Sequence, residues 1–154
     1  DNEISWIDWS LLEKNKDLFE FFKFMIDYRK KHPVIRKKLD NAVCGMEAMH
    51  AHDVNAERME VPQNAKTLAV SFAGYDRKKG KDDLVYVAVN AYWEEVKITL
   101  PNLANHGAWY LSVDTYGDEK GKYFYQEGEE IRIDREYVMK PRSIVVFTGR
   151  EILR

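Results

Sequence analysis

Polar and apolar positions alternate in two distinct ways between Leu84 and Leu100, LVYVAVNAYWEEVKITL. From Leu84 to Ala91 nearly every position is apolar and β-branched residues abound, which predicts a strand buried on both faces. Val96, Ile98 and Leu100 then alternate with Lys97 and Thr99, the pattern of a strand with one wet face. Tyr92, Trp93, Glu94 and Glu95 lie between and are few enough for a hairpin turn. Pro101 closes the second strand, since it offers no ladder donor. A central strand with an amphipathic neighbour belongs in the middle of an antiparallel sandwich or barrel.

Further strands are predicted at Val43–Met49, Leu68–Tyr75, Trp109–Asp114, Ile131–Ile133 and Ser143–Thr148, with turns between them. The charged stretch Asp76–Asp83 is a turn around Gly80, and Tyr116–Gly128 is a glycine-containing loop. With the segment near Val138, about seven short strands spaced by turns fit an antiparallel β sandwich. Trp109, mid-strand, belongs to the core.

The period changes before these strands. DLFEFFKFMIDYRKK predicts a helix, opened by a capping-box pattern at Asp17 and Glu20 and ended by Pro33, which disfavours helical geometry at His32. Tyr28, Phe21, Met25, Leu18, Phe22, Ile26 and Phe19 cover an arc of about 180°, wider than the stripe of about 100° usual for a surface helix. Such a helix touches neighbours on two sides, one of them outside this chain. Arg29 falls inside the arc and is expected to be paired or to snorkel at its edge. The first residues hold Trp6 and Trp9 with Ile4 and Ile7, too apolar for a solvated tail; they read as a loop and short helical turn packed on a neighbour.

Length and composition refine this picture modestly. The 154 residues suit one domain or one domain plus an appended element. Hydrophobic residues make up 45%, enough for a core. The net charge of −2 points to neither nucleic acid nor an anionic membrane. Arg29–His32 and Arg36–Lys38 form one cationic cluster, explained by the dipole at a helix C-terminus rather than by phosphate binding. Cys44 is the single cysteine, which fits a reducing cytoplasm. No run near 18 apolar residues is present. The chain starts Asp1-Asn2-Glu3 without Met and reads as a piece of something longer.

Catalytic motifs are missing from the sequence: there is no glycine-rich phosphate loop, no G-x-S-x-G and no H-E-x-x-H. His50, His52 and Asp53 supply an H-x-H-D triple, but a structural zinc wants four protein ligands, and the segment reads better as a solvated loop. Neither a metal nor a cofactor is called for.

Five motifs carry a resemblance: Asp1-Asn2-Glu3-Ile4-x-Trp6-x-Asp8-Trp9, Ile26-Asp27-Tyr28-Arg29-Lys30-Lys31-His32-Pro33, Asn90-Ala91-Tyr92-Trp93-Glu94, the W-Y-L-S-V-D-T run from Trp109 to Thr115, and Pro141-Arg142-Ser143. In this order they resemble the C-terminal part of bacterial glycogen-debranching enzymes, the isoamylase and pullulanase-like branch of the α-amylase superfamily. The resemblance implies that residues 1–40 are the last loop and helix of a (β/α)8 barrel and that 41–154 are the C-terminal antiparallel β sandwich. It places the catalytic Asp, Glu and Asp of that family upstream of Asp1, so this chain holds no catalytic residue and is inactive alone. Asp1, Asn2, Glu3 and Trp6 would then border the substrate face of the barrel.

The chain is thus read as the barrel-flanking part of an α-1,6-glucosidase. The alternative is a glucan-binding module that stacks sugars on Tyr92, Trp93 and Tyr116, with Tyr123 and Tyr125 as further aromatic candidates. Expected partners are the barrel, an α-glucan, and a second copy of the chain through the open helix face, but neither nucleic acid nor a membrane.

Overall fold

The computed structural model describes residues 2–56, 62–104 and 107–150. Contacts divide the chain into Asp1–Lys31 and His32–Arg154.

The first unit contains a 3-10 turn at Glu3–Ser5, a single helical turn α1 (Leu11–Lys14) and the helix α2 (Lys16–Lys31). α2 starts one residue before Asp17, so Asp17 lies in its first turn, where it complements the helix dipole instead of capping. The backbone at His32 leaves helical geometry (φ −112°, ψ 79°) ahead of Pro33, as the proline demands. Around α2 the apolar arc divides. Tyr28 is buried, as is Phe24, which the predicted arc leaves out, whereas Leu18, Phe19, Phe22 and Ile26 are each about half exposed or more, up to 60% at Phe22. Arg29 is exposed and forms no ion pair among the described residues. Trp6 and Trp9 are exposed as well.

The second unit is mainly β. Its strands are β1 (Met49–His52), β2 (Thr67–Asp76), β3 (Lys81–Asn90), β4 (Val96–Thr99), β5 (Ala108–Asp114), β6 (Ile131–Ile133), β7 (Glu136–Met139) and β8 (Ser143–Arg150). Six of them form an antiparallel sheet in the order β1-β2-β3-β8-β5-β6, and β4 pairs with β7 in a second, two-stranded sheet. β3 lies inside the large sheet with both edges taken, and both its faces are buried: Val85 on one and Tyr86 on the other have no exposure. Its core face, Leu84, Tyr86 and Ala88, packs with Trp109, Leu111, Val145 and Phe147, and with Ile98, Leu100 and Met139 from the second layer.

Three sequence expectations need correction. Residues 92–95 are not a hairpin turn, because β4 pairs with β7 and not with β3. β2 and β8 already occupy both edges of β3, so the chain crosses to the second layer, where Ile98 and Leu100 are fully buried. Nor does a strand begin at Val43: Gly45 takes a left-handed turn (φ 81°), Val43 is exposed, and the strand starts only at Met49. His50 and His52 consequently sit on β1 rather than in a solvated loop, and His52 is buried.

Close packing selects glycine at Gly149. A Cβ there would lie 2.8 Å from the Leu84 Cβ and 3.1 Å from the Trp109 ring, the neighbours paired with it on β3 and β5.

Candidate functional site

One end of the large sheet gathers the exposed aromatic residues of the second unit. It is built on Asn90, the last residue of β3, which is 1% exposed. Its side-chain amide donates to the carbonyls of Glu94 (2.9 Å) and Lys140 (3.0 Å), and its side-chain oxygen accepts the Tyr92 N–H (3.0 Å). Arg142, in the left-handed region at φ 50°, donates its N–H to the Tyr92 carbonyl (3.0 Å). One buried amide thus ties the segment after β3 to the connection between β7 and β8. Asparagine suits the position because it offers two donors and an acceptor in one short side chain.

Above this staple, the Tyr92 and Trp93 rings lie 4.3 Å apart between centroids, and the Lys66 ammonium sits 3.8 Å from the Tyr92 ring centre. Tyr92 is therefore half-buried between a cation and an indole, and Trp93 is the open member of the pair at 64% exposure. The Lys140 ammonium bonds the Glu95 carboxylate. Glu95 by its hydrogen bond and its charge, with smaller contributions from Tyr116 and Asp114, holds Lys140 protonated above its ordinary range.

Tyr116 follows β5 at the same end and is 60% exposed. Its N–H is held by Asp114 Oδ1 at 2.9 Å, and the other oxygen of that carboxylate accepts the Tyr137 hydroxyl at 2.6 Å. Burial and the Asp114 contact push the Tyr137 phenol far up. Tyr125 is buried and Tyr123 half-buried, so among the five aromatic candidates only Trp93 and Tyr116 present open rings.

In the first unit, Asn2, Glu3 and Trp6 lie in and around the 3-10 turn and are exposed; Asp1 is outside the described residues. The Ser5 hydroxyl donates to the Asn2 carbonyl at 2.9 Å.

The histidine cluster is structural in its geometry. His52 Nε2 lies 2.8 Å from Ser71 Oγ, and Nδ1 lies 3.2 Å from the Ala56 carbonyl. That pattern fits a neutral ring donating from Nδ1 to the carbonyl and accepting from the serine; burial, aided by His50, lowers the pKa of His52. Among the described residues no three His, Cys, Asp or Glu side chains converge as a metal site. The Cys44 thiol is half-buried, and burial raises its pKa. No helix among the described residues is long and apolar enough to cross a membrane.

The family described as isoamylase, C-terminal, matches residues 43–148, which is most of the β unit. The chain belongs to that family. "Isoamylase 3, chloroplastic" of Oryza sativa subsp. japonica is 28% identical over 116 residues, covering 75% of this chain and 13% of the relative. "Glycogen operon protein GlgX homolog" of Mycobacterium tuberculosis, and the protein of the same name in Mycobacterium bovis, are 47% identical over 38 residues. That match covers 25% of this chain and 5% of each relative, so the chain spans a small part of the relatives it resembles. The isoamylase C-terminal match leaves α2 and the loop before it outside its bounds. Asn90, the residue that organises the exposed end, was not singled out for that role by sequence pattern; its signal was a polar side chain ending a doubly buried strand.

Proposed function

We infer that this isoamylase C-terminal domain forms the barrel-flanking part of a debranching enzyme that hydrolyses α-1,6 branches of glycogen or a starch-like glucan. In this reading residues 1–40 are the barrel's last loop and helix, residues 41–154 are the C-terminal β-sandwich domain, and the enzyme works in the cytoplasm. The observation that carries it is the divided helix α2, with Phe24 and Tyr28 buried and Leu18, Phe19, Phe22 and Ile26 open. Open aromatic and aliphatic side chains in one flank suit a second apolar neighbour, and a barrel wall supplies one. Asn2, Glu3 and Trp6 would border the substrate face. The chain alone carries no catalytic acid–base pair in this reading. Incubating the purified chain with pullulan and with limit dextrin tests it: no reducing sugar above a blank is expected, and release of sugar overturns it. Lacking the barrel, the chain should self-associate through the same flank, which light scattering would reveal as a mass that rises with concentration.

A second reading is favoured by Trp93, an indole held open on a turn pinned by a buried amide. Here the β domain binds α-glucan and tethers the enzyme to its polymer, since aromatic faces stack on the apolar faces of sugars. Titrating the labelled chain with maltoheptaose should give saturable shifts; their absence at millimolar sugar would leave the domain a packing partner only.

A further inference from the structure

We propose that Trp93 and Tyr116 are the two ends of one surface track for a linear, uncharged α-glucan chain, with the Glu95–Lys140 pair between them holding the sugar hydroxyls. This rests on the glucan-binding reading and assigns its route across the domain.

Strand order carries the placement. β3, β8 and β5 are consecutive neighbours in the large sheet. Asn90 of β3 is in register with Ser143 of β8, and Val145 of β8 with Asp114 of β5. The chain leaving β3 toward Trp93, the chain entering β8 from Lys140, and the chain leaving β5 toward Tyr116 therefore emerge in that order from one sheet end. Two strand spacings separate the outer pair, about 10 Å, which is within reach of a short linear oligosaccharide.

The chemistry along that line alternates. Trp93 and Tyr116 are 64% and 60% exposed, so both rings stand open to a ligand. Between them the ammonium of Lys140 and the carboxylate of Glu95 are both about half exposed. As a pair they offer donors and acceptors with no net charge, which suits hydroxyls better than an anionic ligand. Tyr92 is excluded as a platform by Lys66 on its ring and Trp93 beside it; it braces the indole.

Both platforms are pre-organised. Asn90 fixes the Trp93 turn. Thr115 secures the Tyr116 side by donating its N–H to the Ile144 carbonyl (3.0 Å) and accepting the Ile144 N–H on its hydroxyl (2.8 Å). Side chains already held at strand ends lose little freedom when a ligand arrives.

The test is maltoheptaose titration, followed by NMR, of the 154-residue chain and of its Trp93→Ala, Trp93→Phe, Tyr116→Ala and Lys140→Met variants, with the unliganded spectrum reporting the fold. Each alanine variant should weaken binding about tenfold, Lys140→Met should weaken it by less, and Trp93→Phe should retain most of the affinity. Maltotriose should bind more weakly than maltoheptaose and lose less on substitution at either end. Binding unchanged in both alanine variants, with folded spectra, overturns the track and leaves the glucan reading standing. No saturable binding by the unsubstituted chain overturns both.

Discussion

His32 Nδ1 lies 2.6 Å from Asp83 Oδ1, joining the residue after α2 to the buried start of β3. The second oxygen of the same carboxylate accepts the Val34 N–H at 3.0 Å. Its neighbour Asp82 accepts the N–H groups of Val43 (2.9 Å) and Cys44 (2.8 Å). Successive side chains on a strand point to opposite faces, so the two adjacent aspartates fasten two separate stretches of the connection onto β3.

Asp83→Ala would leave the Val34 N–H and the His32 ring without their acceptor in a largely buried place. A loss of about 3 kcal/mol in unfolding free energy is expected by urea denaturation. Asp82→Ala, whose partners are more exposed, should cost less.

Asn90→Ala removes three hydrogen bonds at a fully buried site and leaves two carbonyls and one N–H to find other partners. A loss of about 2 kcal/mol is expected, with a lower Trp93 fluorescence anisotropy as its turn loosens. Unchanged anisotropy would mean that the staple does not hold the indole.

Gly149→Ala puts a methyl group against Leu84 and Trp109 on the two flanking strands. Backbone or ring displacement should cost about 1–3 kcal/mol, read as a lowered thermal midpoint.

Paired charge substitutions on the open flank of α2, Phe22→Glu with Ile26→Lys, should change stability little because both side chains are exposed. The same double variant should abolish self-association by light scattering. A large loss of stability would show instead that the flank is covered within the chain.

Acidification should weaken the fold through His52. Burial lowers its pKa in the folded state, so the unfolded chain binds a proton more readily, at its ordinary value of about 6.5. This contribution to stability is complete above that value and is lost as pH falls below it toward the lower folded pKa. Urea midpoints measured between neutral and mildly acidic pH should fall more steeply for the native chain than for His52→Gln.

The short apolar, β-branched runs at Leu68–Tyr75, Leu84–Ala91, Trp109–Asp114 and Ser143–Thr148 made the large sheet legible in the sequence, since burial on one or both faces demands apolar residues. The same logic exposed α2 as a helix with two apolar flanks. Pairing was another matter. That β4 deserts β3 for β7, or that β8 inserts between β3 and β5, depends on which edges remain free once the layers assemble, and no local pattern encodes this. The exposed end arose the same way. Trp93, Lys140 and Tyr116 are far apart along the chain, and only the order β3-β8-β5 brings them side by side. Asn90 and Asp83 acquired their roles from the partners that tertiary packing supplied, because a buried polar group is defined by what it bonds and not by its place in the sequence.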